Sequence, residues 1–357
     1  MLHPLFSQKI PYGSEGFVAK LDSNLNPLFA TYLGAQTAQS VSRIALDSSG
    51  NAYVAGSTQD PNFPVTGPVL GTGAPGPSNN TTTPLTYGFV SKISAGGSQL
   101  LYSRLIGADQ TAPCPSPMGC NEPAGTTIPY ALVLDSSGAL TIAGSTNAMN
   151  FPITPGVYQN TCNCPWPSSS NFVSRVAPDG SKLAWSTYMI PAGNSNAAGA
   201  QFLSEDAAGN VYIAGSSVLQ IVNFNGSLQT SSSVADAFVA KLNAEGTALF
   251  FETDWNGING AVLSGMALDP SGNLWLAGNT KAPNFPWLAN VPATGVDFAL
   301  ELNSTGSAPR RIQELLPGTV NRPIAFDAGG NLLLLSSKGS LLRLNPANAD
   351  SAPALFA

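Results

Sequence analysis
The chain of 357 residues carries 36 glycines and 29 prolines, and it is 43% hydrophobic but only 10% charged, against about 25% charged in an average globular protein. The apolar content excludes a disordered polar chain, and the net charge of −6 disfavours nucleic acid or an anionic membrane as a main partner. A single histidine, His3, at the N-terminal edge, nearly removes Ser-His-Asp, Cys-His and multi-histidine metal chemistry at once.

The chain opens on MLHPLFSQKIPYGSEG (1–16), which lacks the basic-then-apolar pattern of a signal peptide. Low charge, many Ser, Thr, Asn and Gly residues and four cysteines still suggest export. A leader missing from this chain is therefore expected, with an extracellular or cell-surface location. There is no run of about 18 apolar residues, so no membrane insertion is expected.

From residue 16 onward one unit recurs. Its second half comes first, as GFVAKLDSNLNPLFATYLG (16–34), and returns as GFVSKISAGGSQLLYSRLIG (88–107) and NFVSRVAPDGSKLAWSTYM (171–189). It continues as AFVAKLNAEGTALFFETDW (237–255) and, more worn, as DFALELNSTGSAPRRIQEL (297–315). Each copy is a strand, a polar Gly-containing turn and a strand, with alternating β-branched and aromatic residues. The first half reads IALDSSGNAYVAGST (44–58), LVLDSSGALTIAGST (132–146), FLSEDAAGNVYIAGSS (202–217), MALDPSGNLWLAGNT (266–280) and IAFDAGGNLLLLSS (324–337). Asp47, Asp135, Asp206, Asp269 and Asp327 each start an Asp-x-x-Gly turn. The carboxylate bonds N–H groups ahead of it, and the glycine takes positive φ at little steric cost.

Four short strands per unit, with no convincing 3.6-residue period, predict an all-β propeller whose blade strands are a to d. The pieces run as a c–d pair (17–34), four complete blades (about 41–107, 129–190, 200–256 and 264–316) and an a–b pair (322–337). The N-terminal c–d and C-terminal a–b strands are expected to complete a fifth blade and close the ring, leaving no open edge. The segment KGSLLRLNP (338–346) looks like a further strand c, which could displace the N-terminal one or mark a longer ring of six or seven blades. Residues 1–346 are expected as a single domain, and 347–357 as an Ala/Pro-rich tail or linker.

The runs GNAYVAGST, PNFPVT, GFVAKL and ATYLGA resemble the SBBP-type β-propeller repeats of secreted bacterial proteins, and the resemblance extends from residue 16 to 346. Those repeats read Asp-x-x-Gly-Asn-x-Tyr-Val-x-Gly, Phe-Pro-x-Thr, Asp-Ala-Phe-Val-x-Lys-Leu and Ser-Thr-Tyr-Leu-Gly. The third unit lacks Asn-Phe-Pro, Glu301 replaces the strand-c lysine and the fifth unit is degraded. The resemblance implies a propeller outside the cell or at its surface, and no reaction.

In such a blade the a–b and c–d turns lie on one face and the b–c and d–a connections on the other. The first set is short throughout and the second is long, so a binding site is expected on the long-loop face or at the mouth of the central channel. All four cysteines fall there. Cys114 and Cys120 enter the second blade, and Cys162 and Cys164 lie on its b–c loop. Two disulfides are the first reading, cross-paired between the two inserts. A structural zinc site is the alternative, with spacing that matches no familiar pattern.

Asn62-Phe63, Asn150-Phe151 and Asn284-Phe285, each followed by proline, pair an aromatic with an amide, as sugar recognition would require. The opposing reading wedges each phenylalanine between neighbouring sheets. Trp166 and Trp287 sit nearby, and Trp166 in CPWP is the aromatic least like the repeat. The strand-c cations Lys20, Lys92, Arg175 and Lys241 could ring a channel, or could run their stems along the sheet with charge in water. Asp60, Asp109, Glu122, Asp236 and Asp297 lie on the long-loop side, but no spacing fixes a catalytic pair. No cofactor or metal is expected, since no calcium-loop pattern is present.

The expected function is that of an exported, non-catalytic binding or adhesion module, monomeric, contacting glycan or a surface protein. The alternatives are a spacer domain of a larger surface protein and a carboxylate-dependent polysaccharide hydrolase or lyase.

Overall fold
The computed structural model describes residues 16–34, 39–60, 62–71, 86–107, 125–148, 150–162, 169–191, 199–217, 236–255, 261–283, 285, 288, 290–315, 324–335, 340–345 and 354–355. It is all-β, built from four-stranded antiparallel blades of the propeller type, in two compact units of residues 1–189 and 190–357.

The first unit begins with β1 (Gly16–Leu21) and β2 (Pro27–Leu33), a two-stranded sheet. One blade follows as β3 (Gln39–Leu46), β4 (Ala52–Thr58), β5 (Tyr87–Ile93) and β6 (Leu100–Ile106). The next is β7 (Thr127–Leu134), β8 (Leu140–Thr146), β9 (Ser170–Val176) and β10 (Leu183–Pro191). The second unit holds β11 (Ala200–Glu205), β12 (Val211–Ser217), β13 (Asp236–Leu242) and β14 (Leu249–Trp255), then β15 (Ala261–Leu268), β16 (Leu274–Thr280), β17 (Val296–Leu302) and β18 (Pro309–Leu315). Its third sheet is β19 (Ala325–Phe326), β20 (Leu332–Leu335), β21 (Leu341–Leu344) and β22 (Ala354–Leu355).

That last sheet corrects the expected closure. Strand b of the C-terminal repeat ladders with β21, Leu332 opposite Leu344 and Leu335 opposite Leu341, and not with the N-terminal pair. The segment 338–346 carries its own apolar alternation a few residues downstream, so it closes a short loop where β1 would have to close the whole chain. The tail expected as a linker contributes β22, whose Leu355 and Ala354 pair with Leu342 and Arg343.

The turns form as their sequence dictates. Asp47 Oδ1 accepts the Ser49 and Asn51 N–H groups at 3.0 and 2.9 Å, and the Gly50 N–H reaches Asp47 O at 2.9 Å. Gly50, Gly138, Gly209, Gly272 and Gly330 all take φ between 73° and 87°.

The glycine of Ala-Gly-Ser/Asn in strand b has a different reason. Strand a carries a bulge in the four blades β3–β6, β7–β10, β11–β14 and β15–β18, at Val41/Arg43, Pro129/Ala131, Ala200/Phe202 and Leu263/Gly265. The bulge drives a strand-a carbonyl onto the glycine. A Cβ on Gly56, Gly144, Gly215 or Gly278 would lie 2.0, 2.0, 2.1 or 2.3 Å from the oxygen of Ser40, Ile128, Gly199 or Val262.

Within each unit consecutive blades interlock at their outer strands. The c–d turn glycines Gly97, Gly180 and Gly306 sit on the rings of Phe29, Tyr102 and Phe251, each on strand d of the blade before. Arg104 Nε donates to Gly180 O at 2.9 Å, and Thr253 Oγ1 donates to Gly306 O.

Candidate functional site
On the face of the a–b turns, the strand-c cation of a blade reaches the turn aspartate of the same blade. Lys92 Nζ lies 3.4 Å from Asp47, Lys241 Nζ 3.1 Å from Asp206 and Arg343 Nη2 2.7 Å from Asp327, and Arg175 pairs with Asp135. The cross-strand tyrosine guides the lysine. Lys92 lies 4.6 Å from the Tyr53 ring centroid and Lys241 4.5 Å from that of Tyr212, in reach of cation–π attraction. Burial works against ionisation of Asp47 and Asp206, yet the Asn51 and Asn210 donors and then the lysines hold both carboxyls below the ordinary value.

These cations are not free in water; each latches its own blade's turn. Lys20 is different, because its Nζ donates to Ala95 O at 3.1 Å. In the β15–β18 blade the charges are exchanged. Buried Glu301 takes Arg310 at 2.9 Å and Arg311 at 3.6 Å from strand d, and Arg310 also reaches Asn273 Oδ1.

On the opposite face the repeat residues are spent on anchoring the b–c loop. Thr58, Thr146 and Thr280 accept the N–H of Asp60, Ala148 and Ala282 through their hydroxyls. The next turn brings Phe63, Phe151 and Phe285 inward, where they lie 4.6, 4.7 and 5.0 Å from the centroids of Phe89, Phe172 and Phe298. All three are buried, in clusters that join their blade to the sheet before it. Their ring faces serve packing, so the structure corrects the expectation that they meet a ligand. Asn62 is exposed and Asn150 half-buried, and Asn284, Trp166 and Trp287 lie outside the described residues. Thr66 and Thr154 then clip the loop to strand d, their N–H groups donating to Ser103 O at 2.9 Å and Ser186 O at 3.1 Å. Of the cysteines, Cys162 is disulfide-bonded and packs against a core cluster. Cys114, Cys120 and Cys164, and with them the pairing, lie outside the described residues.

Of the carboxylates expected on the long-loop side, Asp60 and Asp297 are buried, and the Gln39 amide donates to Asp60 Oδ2 at 3.0 Å. No group of three His, Cys, Asp or Glu residues suited to a metal occurs among the described residues. Sequence reasoning passed over Glu252, which stands opposite Ala240 on β14, where the sister blades pair Ser91 with Ser103 and Ser174 with Ser186 at 2.9 and 2.7 Å. Burial pushes its carboxyl up to about 7. A carboxyl raised in the folded state favours folding while protonated and withdraws that contribution as pH rises through 7. Glu252→Gln should therefore flatten the stability decline between about pH 4.5 and 7, a change of roughly 2 kcal/mol. Urea melts at pH 5 and 7.5 check it, and equal pH slopes in both proteins would sink it.

Residues 28–64 match the SBBP beta-propeller repeat. The SBBP segment runs from strand d of one repeat through the Asp47 turn to Phe63-Pro64, so it includes the glycine-bulge contact and the buried phenylalanine. No curated protein matches the sequence. Among solved structures, the Dos1 propeller matches 95% of this chain and 61% of its own at 10% identity and TM-score 0.44. Quinohemoprotein alcohol dehydrogenase from Comamonas testosteroni matches 92% and 55% at 10% identity and TM-score 0.47. YCF48 bound to D1 peptide matches 97% and 72% at 8% identity and TM-score 0.39. The chain thus spans less than two thirds of the first two. These are likenesses of fold alone, and a fold of this kind hosts unrelated functions.

Proposed function
We propose that the chain is an exported, non-catalytic binding or adhesion module that engages a glycan or a surface protein through its b–c and d–a connections. One observation supports this reading above the others. The turn face is committed to latches and glycine contacts, whereas the opposite face combines a fixed anchor, Thr-Phe-Thr, with connections of very different length. Such division of a scaffold into a constant face and a variable one is how loop-borne binding sites are built. Trp166 and Trp287 on those connections are the side chains assigned to ring stacking, beside Asn62, Asn150 and Asn284 as amide donors. The cysteines at 114, 120, 162 and 164 staple two inserts of the same blade in this reading, which suits an oxidising location.

A glycan and polysaccharide array tests it, run on the chain and on the Trp166→Ala, Trp287→Ala double variant. Saturable binding that the double variant loses is the expected result. Silence across the array from folded protein would overturn glycan recognition and favour the spacer reading, and release of product from a polysaccharide would overturn the non-catalytic one.

A further inference from the structure
In the four blades β3–β6, β7–β10, β11–β14 and β15–β18, strand a carries one residue that the ladder to strand b passes over. These are Ser42, Tyr130, Gln201 and Ser264, and all four have hydrogen-bonding side chains. A bulge frees a residue from pairing and re-aims its side chain, which is why bulges gather beside functional sites. In the second of these blades the bulge lies level with the strand-b glycine, since Pro129 pairs with Gly144 and Ala131 with Ala143. That is the end where strand b leaves for the b–c connection, the face to which binding is assigned above.

Tyr130 is the one aromatic residue of the four. It is half-buried, as is Ser145, and Ser145 Oγ donates to its hydroxyl at 3.2 Å. Among the described residues the Tyr130 hydroxyl makes no other hydrogen bond. The phenol is thus held as an acceptor with its own proton unspent. A tyrosine with a packed ring and an accessible polar end suits recognition, because it is rigid and amphipathic. Neither β7 (TIPYALVL) nor β8 (LTIAGST) carries a charged residue, and the same end of their ladder holds a buried hydroxyl pair, Thr127 and Thr146, at 2.9 Å. The two cysteine-bearing inserts adjoin these strands in sequence: Cys114 and Cys120 precede β7, and Cys162 and Cys164 follow β8.

We infer that Tyr130, positioned by Ser145, is a hydrogen-bond donor to a sugar oxygen, and that the glycan met at this blade is uncharged. The inference rests on the glycan reading proposed above. Hydroxyl groups without a cation offer little to offset the desolvation of a uronate or sulfate, whereas they match the hydroxyl and ring oxygens of a neutral chain.

The test compares the full chain with Tyr130→Phe, which keeps the ring and removes the hydroxyl, on neutral, uronate-bearing and sulfated polysaccharides. Saturable binding to neutral polymers is expected, weakened about three- to tenfold in Tyr130→Phe, the worth of one neutral hydrogen bond, with urea melts unchanged. Ser145→Ala, which releases the phenol, should weaken binding by a smaller factor. Equal binding by the chain and Tyr130→Phe, or a preference for the charged polymers, would overturn the inference and leave the glycan reading standing. Silence across all three classes would overturn both. Loss of stability in Tyr130→Phe with affinity unchanged would assign the hydroxyl pair to the fold and not to a ligand.

Discussion
Replacing Gly144 with alanine should lower the stability of the protein by on the order of 4 kcal/mol, among the largest effects a single methyl group can have. The added Cβ would lie 2.0 Å from Ile128 O and 2.8 Å from the Ile128 carbonyl carbon. Both are backbone atoms of strand a, fixed on the other side by the bulge and by the ladder to β8. No rotamer relieves the clash, so either the bulge opens or the strands part. Gly96→Ala is the control, because a Cβ there meets nothing within 4 Å and the change should be nearly neutral. Urea denaturation of both variants checks the pair. A Gly144→Ala protein as stable as Gly96→Ala would mean that strand a can shift freely, and that the repeated glycine serves something other than close approach.

Phe151→Ala should cost about 3–5 kcal/mol, the usual range for emptying a buried aromatic site. The ring is buried, lies 4.7 Å from Phe172 and 6.0 Å from Tyr188, and belongs to the cluster that includes Tyr53 and Leu70 of the preceding blade. Its loss opens a cavity between two blades, which neither can refill alone because both are pinned by ladders. Asn62→Ala, at the exposed position before Phe63 in the sister loop, should change stability by no more than about 0.5 kcal/mol. Thermal or urea melts on the two variants distinguish the roles. If Phe151→Ala kept full stability and lost only ligand binding, the packing assignment would be wrong and the aromatic would return to the binding face.

Much of the fold was legible because its determinants are local. The Asp-x-x-Gly turn closes within four residues, so Asp47, Asn51 and Gly50 announce it in any order of reading. Alternation in GFVAKL or NVYIAGS likewise fixes which residues face inward. The latch was not legible, since its partners are far apart in sequence; Arg175 and Asp135 are 40 residues apart. The lysines and aspartates were therefore assigned separately, one to solvent and one to the turn. The sign was present in the fourth unit, where Glu301 replaces the cation and Arg310 and Arg311 appear on strand d. The N-terminal pair was misassigned for another reason. Two candidate c strands competed for β20, and periodicity weighs both equally, while chain connectivity favours the nearer. Of the candidate site, Phe63, Phe151 and Phe285 fit sugar stacking and wedge packing equally well on composition. Only burial separates the two.

The contact of the c–d turn glycines Gly97, Gly180 and Gly306 with an aromatic ring of the blade before bears on stability within a unit. It couples a blade to its immediate neighbour and to nothing further along the chain. Within a unit, stability then behaves as a row of linked terms: an intrinsic one for each blade and an interfacial one for each adjoining pair. A whole repeat can be gained or lost by duplication or deletion with one interface added or removed, provided the ring-on-glycine joint is kept. The connections of the opposite face, which take no part in that joint, are free to vary in length from one copy to the next.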